Sequence, residues 1–389
     1  MHRGEWSALL IHSVFGLGSC TFMAMLNPVV EEVKVFLEES YELRYAACSD
    51  SEMVNASQGV ALNGTLGNSG LVGPTTVRAR DDEEPIVVTW LWAATASAYR
   101  LGVFFGGLTM SHIADSYGRR TSSMVILNVV QIVGGLLQFF AVVSWRSFEF
   151  LIVGRLLTGV CGGWATISVL YIAECCANQD DSARASGAAT VANYYATSFG
   201  LLLTQSFAFG TEVLWPYALL VPVAMAVVHM LFAFYLPESP EYLYMKQHNE
   251  PAARSALEFY SGCRCYSGGH GEDLWIRTKR RMDQELLQGA SGQPLTFLNI
   301  FSRRPLLWAF GVCMAGRFAA VTAGGQLGEQ YSTEMLLSAG LDVETSQLLT
   351  LTIAHLELLR TSLQQRGVGH IGTANRHRSA RQSRLDALH

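Results

Sequence analysis

The segment GGLTMSHIADSYGRRTSSMVIL, residues 106–127, holds a short polar turn between two long apolar runs. Asp115, Arg119 and Arg120 supply three charges within that turn. A run of about 18 or more apolar residues is long enough to cross roughly 30 Å of hydrocarbon as a helix. The turn is therefore expected at the boundary of a membrane and not on the surface of a soluble domain.

The composition of the whole chain agrees with a membrane protein. Half of the 389 residues are apolar and only 15% are charged, whereas about a quarter of the residues of a soluble domain are charged. The sequence contains no Walker loop, nucleophile elbow or strong metal-ligand spacing. We therefore predict a protein that is not an enzyme, with no cofactor, no metal and no nucleic-acid partner.

Apolar runs predict an all-α membrane protein with six spans, a polar segment and two further spans. The domains predicted from them are an N-terminal six-helix bundle (1–236) with a polar external loop (31–84), a cytoplasmic inter-bundle loop with short helices (237–304), the start of a second bundle (305–359) and a basic, disordered tail (360–389). The predicted spans are 9–30, 86–110, 122–143, 150–172, 186–207, 217–236, 306–323 and 346–359.

Charge and glycosylation signals predict the orientation of these spans. Asn55 and Asn63 each begin an N-glycosylation sequon within the acidic loop, which favours an external location for that loop. Lysine and arginine are concentrated in 111–121, 173–185 and 237–304, which the positive-inside rule assigns to the cytoplasm. We therefore predict a cytoplasmic N-terminus and glycosylation at both asparagines; together with the family resemblance described below, the sequons also imply residence in the plasma membrane.

The opening segment resembles a known loop signature. Asp115-x-x-Gly118-Arg119-Arg120, between the second and third spans, is similar to the signature of the major facilitator superfamily. The stretches GRLLTGVCGG (154–163), YIAE (171–174) and PESPEYL (237–243) resemble sugar-porter motifs in the same order. Over about residues 8–340 the chain resembles the facilitative glucose transporter (sugar porter) family. The resemblance implies a major facilitator fold with a complete N-terminal six-helix bundle and the beginning of the second bundle.

Opposite charges at one end of the spans predict a gate. Each exposed ion pair contributes only about 0–1 kcal/mol, but several together can bias two conformations of similar free energy. Alternatively, Arg119 and Arg120 only anchor the topology by contacting lipid headgroups. The predicted cytoplasmic gate consists of Asp115, Gly118, Arg119, Arg120, Arg155, Glu174, Arg184 and Glu238.

The fifth span and the helix before residue 340 hold polar candidates for substrate binding. Asn193 and Thr197 share a helical face, which Tyr194 borders, and they could either bind a polyol or join neighbouring helices. In AVTAGGQLGEQYST (320–333), the family pattern continues, but Ala and Val replace its paired glutamines and Gln326 replaces its asparagine.

A charged residue inside a span is the last candidate. Arg100 lies midway through the second span, where an ionisable side chain is by default a functional hypothesis. It could bind an anionic substrate or pair with an acid on a neighbouring helix.

Two functions follow from these observations. The first is transport of a sugar or similar polar organic solute by alternating access. The second is a truncated, non-transporting membrane protein that associates with a full-length transporter, because no second basic loop follows the eighth predicted span. In both cases the lipid bilayer is the surrounding medium.

Overall fold

Long apolar segments of this chain fold as helices, since a helix satisfies its backbone hydrogen bonds internally in hydrocarbon. The computed structural model describes residues 30–44, 86–176, 213–261, 270–290, 304–322 and 325–353, with scattered positions in 182–199 and 355–363. Within these residues every regular element is helical and no strand occurs. The prediction of an all-α protein is confirmed.

Four helices in the described part of the chain are long and apolar enough to cross a bilayer. They are α2 (Ile86–Tyr117), α3 (Thr121–Trp145), α4 (Phe148–Cys175) and α5 (Trp215–Phe232). All four coincide with predicted spans, although α2 continues to Tyr117 because no helix-breaking residue precedes Gly118. The predicted span 9–30 lies outside the described residues except for residue 30, and only scattered positions of the predicted span 186–207 are described.

The first described helix corrects a predicted boundary. Residues 30–44 form helix α1, although the sequence predicted a polar loop that begins at residue 31. Val30, Val33 and Leu37 recur at helical spacing and are buried, so a narrow apolar stripe anchors a segment whose many glutamates suggested a loop. The rest of that loop, 45–84, lies outside the described residues.

Close packing of α2 against α4 is made possible by glycines on both helices. A Cβ atom added to Gly102 would lie 2.1 Å from the carbonyl oxygen of Leu156, and one added to Gly159 would lie 2.1 Å from that of Tyr99. Small residues allow membrane helices to approach until their backbones touch. The outward faces of the bundle carry exposed apolar side chains, such as Phe104, which suits contact with lipid.

The bundle has two distinct ends, named here by residues of α2. At the Trp92 end, α1 packs with α2 and α5 in an apolar cluster that includes Val33, Trp92 and Trp215. The Gly118 end lies on the order of 38 Å away along α2, at about 1.5 Å per residue. Three helices follow the bundle at the Gly118 end: α6 (Pro240–Met245), α7 (Glu250–Ser261) and α8 (His270–Ala290).

The remaining described helices are α9 (Arg304–Thr322), α10 (Gly325–Ser338) and α11 (343–353). Helix α9 coincides with the predicted span 306–323, and α11 begins before the predicted start at 346. Thr333 of α10 hydrogen-bonds Thr350 of α11 at 3.0 Å. Most described side chains of α9 are exposed, whereas Tyr331 and Leu337 of α10 pack against the apolar cluster at the Trp92 end.

Candidate functional site

The turn between α2 and α3 is built on a single glycine. Gly118 has a φ of 90°, a conformation that side chains other than glycine rarely adopt. A Cβ atom at this position would also lie 2.5 Å from Oε2 of Glu238. Glycine is therefore required both by the backbone and by the carboxylate that packs against it.

Arg119 is held by acceptors from two helices. Its Nε donates to Oε1 of Glu174 at 3.0 Å, and its Nη1 donates to Oδ1 of Asp115 at 2.9 Å and to the carbonyl of Ala114 at 3.1 Å. The Arg119 and Glu174 side chains are only 13% and 8% exposed. The guanidinium also lies over the ring of Tyr242, 5.2 Å from its centroid.

The charge of Arg119 is stabilised by this environment. Burial alone would lower its pKa, but the carboxylates of Glu174 and Asp115 outweigh that effect and raise the pKa overall. Arg119 consequently stays protonated at any pH the protein meets, and its ion pairs depend on the positions of its partners.

Arg120 ties the same turn to the segment that follows α5. Its backbone N–H donates to Oε1 of Glu238 at 2.8 Å, and its Nη1 donates to the carbonyl of Leu236 at 3.0 Å. Ser239 caps α6 by accepting from the N–H of Tyr242, and its hydroxyl donates to Oε2 of Glu174. We call this set the arginine cluster: Asp115, Arg119, Arg120, Glu174, Glu238 and Ser239.

Tyrosine hydroxyls extend the arginine cluster toward α7. Tyr171 of α4 and Tyr260 of α7 both donate to the carbonyl of Pro237, at 2.6 and 2.8 Å, and they also contact each other. Burial raises the pKa of Tyr260 well above its usual value, so its hydroxyl remains a donor. Lys246 adds an exposed pair with Asp115 at 3.5 Å.

The structure brings together six of the eight predicted gate residues and separates one. Glu174 lies in the last turn of α4, whereas Arg155 lies near its beginning, on the order of 28 Å away along the helix. Arg155 is buried with its guanidinium 5.9 Å from the ring centroid of Tyr99. Its assignment to the gate was therefore wrong, because one straight helix cannot present both residues at one end. Arg184 lies outside the described residues.

The hydrogen bonds of the arginine cluster connect neighbouring elements at the Gly118 end. They join the turn after α2, the end of α4 and the segment before α6. Within the described residues, a polar link between α10 and the first bundle lies at the opposite end. There Glu334 accepts from Lys34 at 3.1 Å and from the indole N–H of Trp92 at 3.0 Å.

Sequence reasoning missed the link to Glu334. Lys34 belongs to helix α1, where the sequence predicted a loop, and Glu334 directly follows the YST stretch (331–333) of α10. A charged residue on the buried stripe of α1 was the signal that could have identified Lys34.

The predicted substrate-binding residues are only partly described. Arg100 is partly buried on α2, the helix whose Trp92 hydrogen-bonds Glu334 of α10. Gln326 lies in the first turn of α10. Asn193, Tyr194 and Thr197 lie outside the described residues, as do Asn55 and Asn63. In the part of the chain that is described, no group of three histidine, cysteine or acidic side chains could hold a metal ion.

Sequence comparison adds independent findings. The model of the family described as "Sugar (and other) transporter" matches residues 20–368. The mouse solute carrier family 2, facilitated glucose transporter member 7 is 30% identical over 288 residues, which are 72% of this chain and 52% of that protein. The human member 4 is 29% identical over 301 residues, 74% of this chain and 54% of that protein. The chain thus spans about half the length of the curated relatives it matches.

Solved structures share the fold. The major facilitator proton:xylose symporter XylE bound to 6-bromo-6-deoxy-D-glucose matches with a TM-score of 0.67 at 15% identity, over 94% of this chain and 69% of that chain. A partially occluded, inward-open form of XylE from E. coli matches with a TM-score of 0.64 at 15% identity, over 93% and 70% of the two chains. The predicted major facilitator fold is confirmed.

Proposed function

This integral membrane chain belongs to the sugar (and other) transporter family, and on that premise we propose that it carries a sugar or similar polar organic solute across a membrane by alternating access. The family match places the chain among transport proteins, in agreement with the prediction that it is not an enzyme. The observation that carries the mechanistic proposal is the buried ion pair between Arg119 and Glu174 at the Gly118 end.

A buried ion pair suits a gate better than a topology anchor. An arginine that only contacts lipid headgroups would be exposed at the interface, whereas Arg119 is enclosed by two carboxylates, a carbonyl and an aromatic ring. Its contacts hold the turn after α2 to the end of α4, and Glu174 in turn accepts from Ser239 at the start of α6. A movement of α6 would therefore shift α4 and the turn after α2 at the Gly118 end. Coupling these movements is the role that we propose for the arginine cluster.

The orientation is proposed from the distribution of charge. Arg119, Arg120 and the basic residues of α8 lie at or beyond the Gly118 end, which makes that end cytoplasmic under the positive-inside rule. The Trp92 end then faces outward, together with the sequons at Asn55 and Asn63. A cytoplasmic N-terminus, glycosylation and residence in the plasma membrane complete the proposal.

The solute site is proposed between the two ends. Arg100 of α2 and Gln326 of α10 belong to helices that meet where Trp92 contacts Glu334. Asn193, Tyr194 and Thr197 of the fifth predicted span are the other proposed contacts. Amide, phenol and guanidinium groups are donors and acceptors suited to hydroxyl-rich solutes.

Uptake by the purified full chain in liposomes tests the function, with labelled hexoses, pentoses and sugar acids offered in turn. Glu174→Gln keeps the shape of the side chain but removes its charge. A lost interaction of about 1.4 kcal/mol changes a population tenfold, so we expect uptake to fall by about that factor. Lys279→Gln is the matched control, because Lys279 forms an exposed 2.8 Å pair with Glu250 outside the arginine cluster.

The outcomes separate the two functional hypotheses. Uptake by the chain alone that falls in Glu174→Gln and persists in Lys279→Gln supports a gated transporter. Uptake that appears only when a full-length relative is co-reconstituted supports the non-transporting partner instead. An equal effect of the two substitutions would contradict the gating role of the arginine cluster.

A further inference from the structure

One carboxylate of helix α10 contacts two helices of the first bundle, one through each of its oxygens. Oε1 of Glu334 accepts from Nζ of Lys34 on α1 at 3.1 Å, and Oε2 accepts from Nε1 of Trp92 on α2 at 3.0 Å. Three helices that are distant in sequence therefore meet at a single side chain. Charge-assisted hydrogen bonds of this kind are stronger and more directional than neutral ones.

Burial distinguishes this contact from the other ion pairs at the same end. The Lys34 side chain is 9% exposed and that of Glu334 is 29% exposed. By contrast, the pair between Arg44 and Glu149 is 64% and 39% exposed, and water and salt screen it. Separating Lys34 from Glu334 without a replacement partner would leave a largely buried charge, which is costly.

Apolar contacts surround the polar ones. Tyr331 and Leu337, on either side of Glu334 along α10, pack against the cluster that contains Val33 and Trp92. Any motion that opens the Trp92 end must lift these side chains from the cluster at the same time. The ion pair and the apolar contacts therefore break together, as a two-state element requires.

Glu31 offers a second carboxylate to Lys34 if the contact with Glu334 breaks. Oε1 of Glu31 lies 4.0 Å from Nζ of Lys34, one helical turn earlier on α1, and its side chain is nearly half exposed. A small rotation of the lysine side chain would replace one carboxylate by the other. This exchange of partners lowers the free-energy cost of opening the Trp92 end, because Lys34 keeps a carboxylate partner. The closed form keeps its contact with Glu334.

We propose that Lys34, Trp92 and Glu334 form a latch that holds the Trp92 end closed, with Glu31 as the partner of Lys34 in the open form. The role of this Glu334 latch in transport rests on the proposed function, since alternating access gives the two forms their purpose. The latch itself is a property of the folded chain and can be tested without transport.

The first experiment tests contact in the full chain embedded in membranes. A water-soluble carbodiimide condenses a lysine amine with a carboxylate, with loss of water and without a spacer. We expect a peptide in which Lys34 is joined to Glu334 by an amide, detected by mass spectrometry and lost in Glu334→Gln. Coupling of Lys34 only to Glu31 in the unsubstituted chain would overturn the latch.

The second experiment measures opening. Leu337→Cys places a thiol on the face of α10 that packs against the first bundle, and its reaction rate with a membrane-impermeant maleimide reports exposure. In this background we expect Glu334→Gln to accelerate labelling roughly fivefold or more, the lower end of typical couplings between sites. Arg44→Gln is the matched control, because its pair joins α1 to α4 within the first bundle.

Additional variants separate loss of the latch from general loosening. Lys34→Met should accelerate labelling like Glu334→Gln, the double variant should be no faster than either single one, and Lys34→Arg should restore slow labelling. Additive effects in the double variant, or equal acceleration by Arg44→Gln, would show general loosening and overturn the proposal. If liposomes show no uptake but both experiments succeed, the Glu334 latch stands and only the proposed function fails.

Discussion

At the scale of single residues, the Gly118 end depends on one position without a side chain. Gly118 lets Glu238 approach the turn, and Glu238 then accepts from the N–H groups of Arg120 and Ser239. The neighbouring Arg119 is held by Glu174 and stays protonated. The geometry of the turn, and not a titration of the arginine, therefore determines whether the arginine cluster is formed.

Substitution of this glycine tests the dependence directly. Gly118→Ala introduces a Cβ at a φ of 90° and within 2.5 Å of a carboxylate oxygen of Glu238. Backbone strain of this kind costs about 1–3 kcal/mol, and we expect thermal unfolding of the detergent-solubilised chain to shift down accordingly. Gly107→Ala is the control, because a Cβ there meets no atom within 4 Å. Equal unfolding temperatures for the two variants would contradict the requirement for glycine.

The sequence predicts which charged residues of the arginine cluster lie at the same end of the bundle, but it does not predict every contact between helices. Counting spans determines the end at which a charge lies, so Glu174 and Glu238 were correctly grouped with Arg119. Arg155 was wrongly grouped with them, because it lies near the beginning of α4 and Glu174 lies in its last turn. The partners of Glu334 could not be predicted, since contacts between helices far apart in sequence follow from packing and not from local pattern.

At the scale of helices, the pairing of α2 with α4 forms the centre of the described bundle. Gly102 and Gly106 of α2 face Gly159 and Gly163 of α4, where added Cβ atoms would meet backbone atoms. Lipid provides no hydrophobic drive for such pairing, so van der Waals contact between the backbones must supply the attraction.

A methyl group at this interface should be poorly tolerated. Gly159→Ala would place a Cβ 2.1 Å from the carbonyl oxygen of Tyr99, and a backbone atom cannot turn away as a side chain can. Overpacking costs about 1–3 kcal/mol and sometimes more, so we expect a lower unfolding temperature and aggregation in size-exclusion profiles. Gly311→Ala, on the open face of α9, should behave like the unsubstituted chain. A monodisperse, equally stable Gly159→Ala variant would refute the tight pairing.

The spans themselves were the most predictable elements. Hydrocarbon thickness requires long apolar runs, and α2, α3, α4 and α5 follow that rule within a few residues. Helix α1 was missed because an amphipathic helix needs only a stripe of apolar residues, which a count of charges conceals. Composition therefore predicts the apolar spans better than it predicts polar helices such as α1 and α8.

At the scale of the whole molecule, the polar contacts among the described residues join different elements at the two ends. The Glu334 latch joins α10 to the first bundle at the Trp92 end, whereas the arginine cluster joins elements of the first bundle to α6 at the Gly118 end. In a two-bundle transporter that rocks around a central site, the contacts between the bundles at each end decide which side is closed. Among the described residues, α10 contacts α1 and α2 at the Trp92 end, and under the proposed mechanism this is the end that the Glu334 latch closes.

Rocking predicts that the two ends move in opposite senses. Spin labels at Leu43 and Ser338 report on the Trp92 end, and labels at Tyr117 of the Gly118 end and Arg304 at the start of α9 report on the opposite side; all four positions are exposed. Neutralising Glu334 by Glu334→Gln should lengthen the first distance and shorten the second in the same liposomes, measured by pulsed electron resonance. Arg44→Gln should change neither distance, because its contact lies within the first bundle. If both distances lengthen together, the helices separate without rocking, and the proposal of alternating access by this chain fails even though the latch has opened.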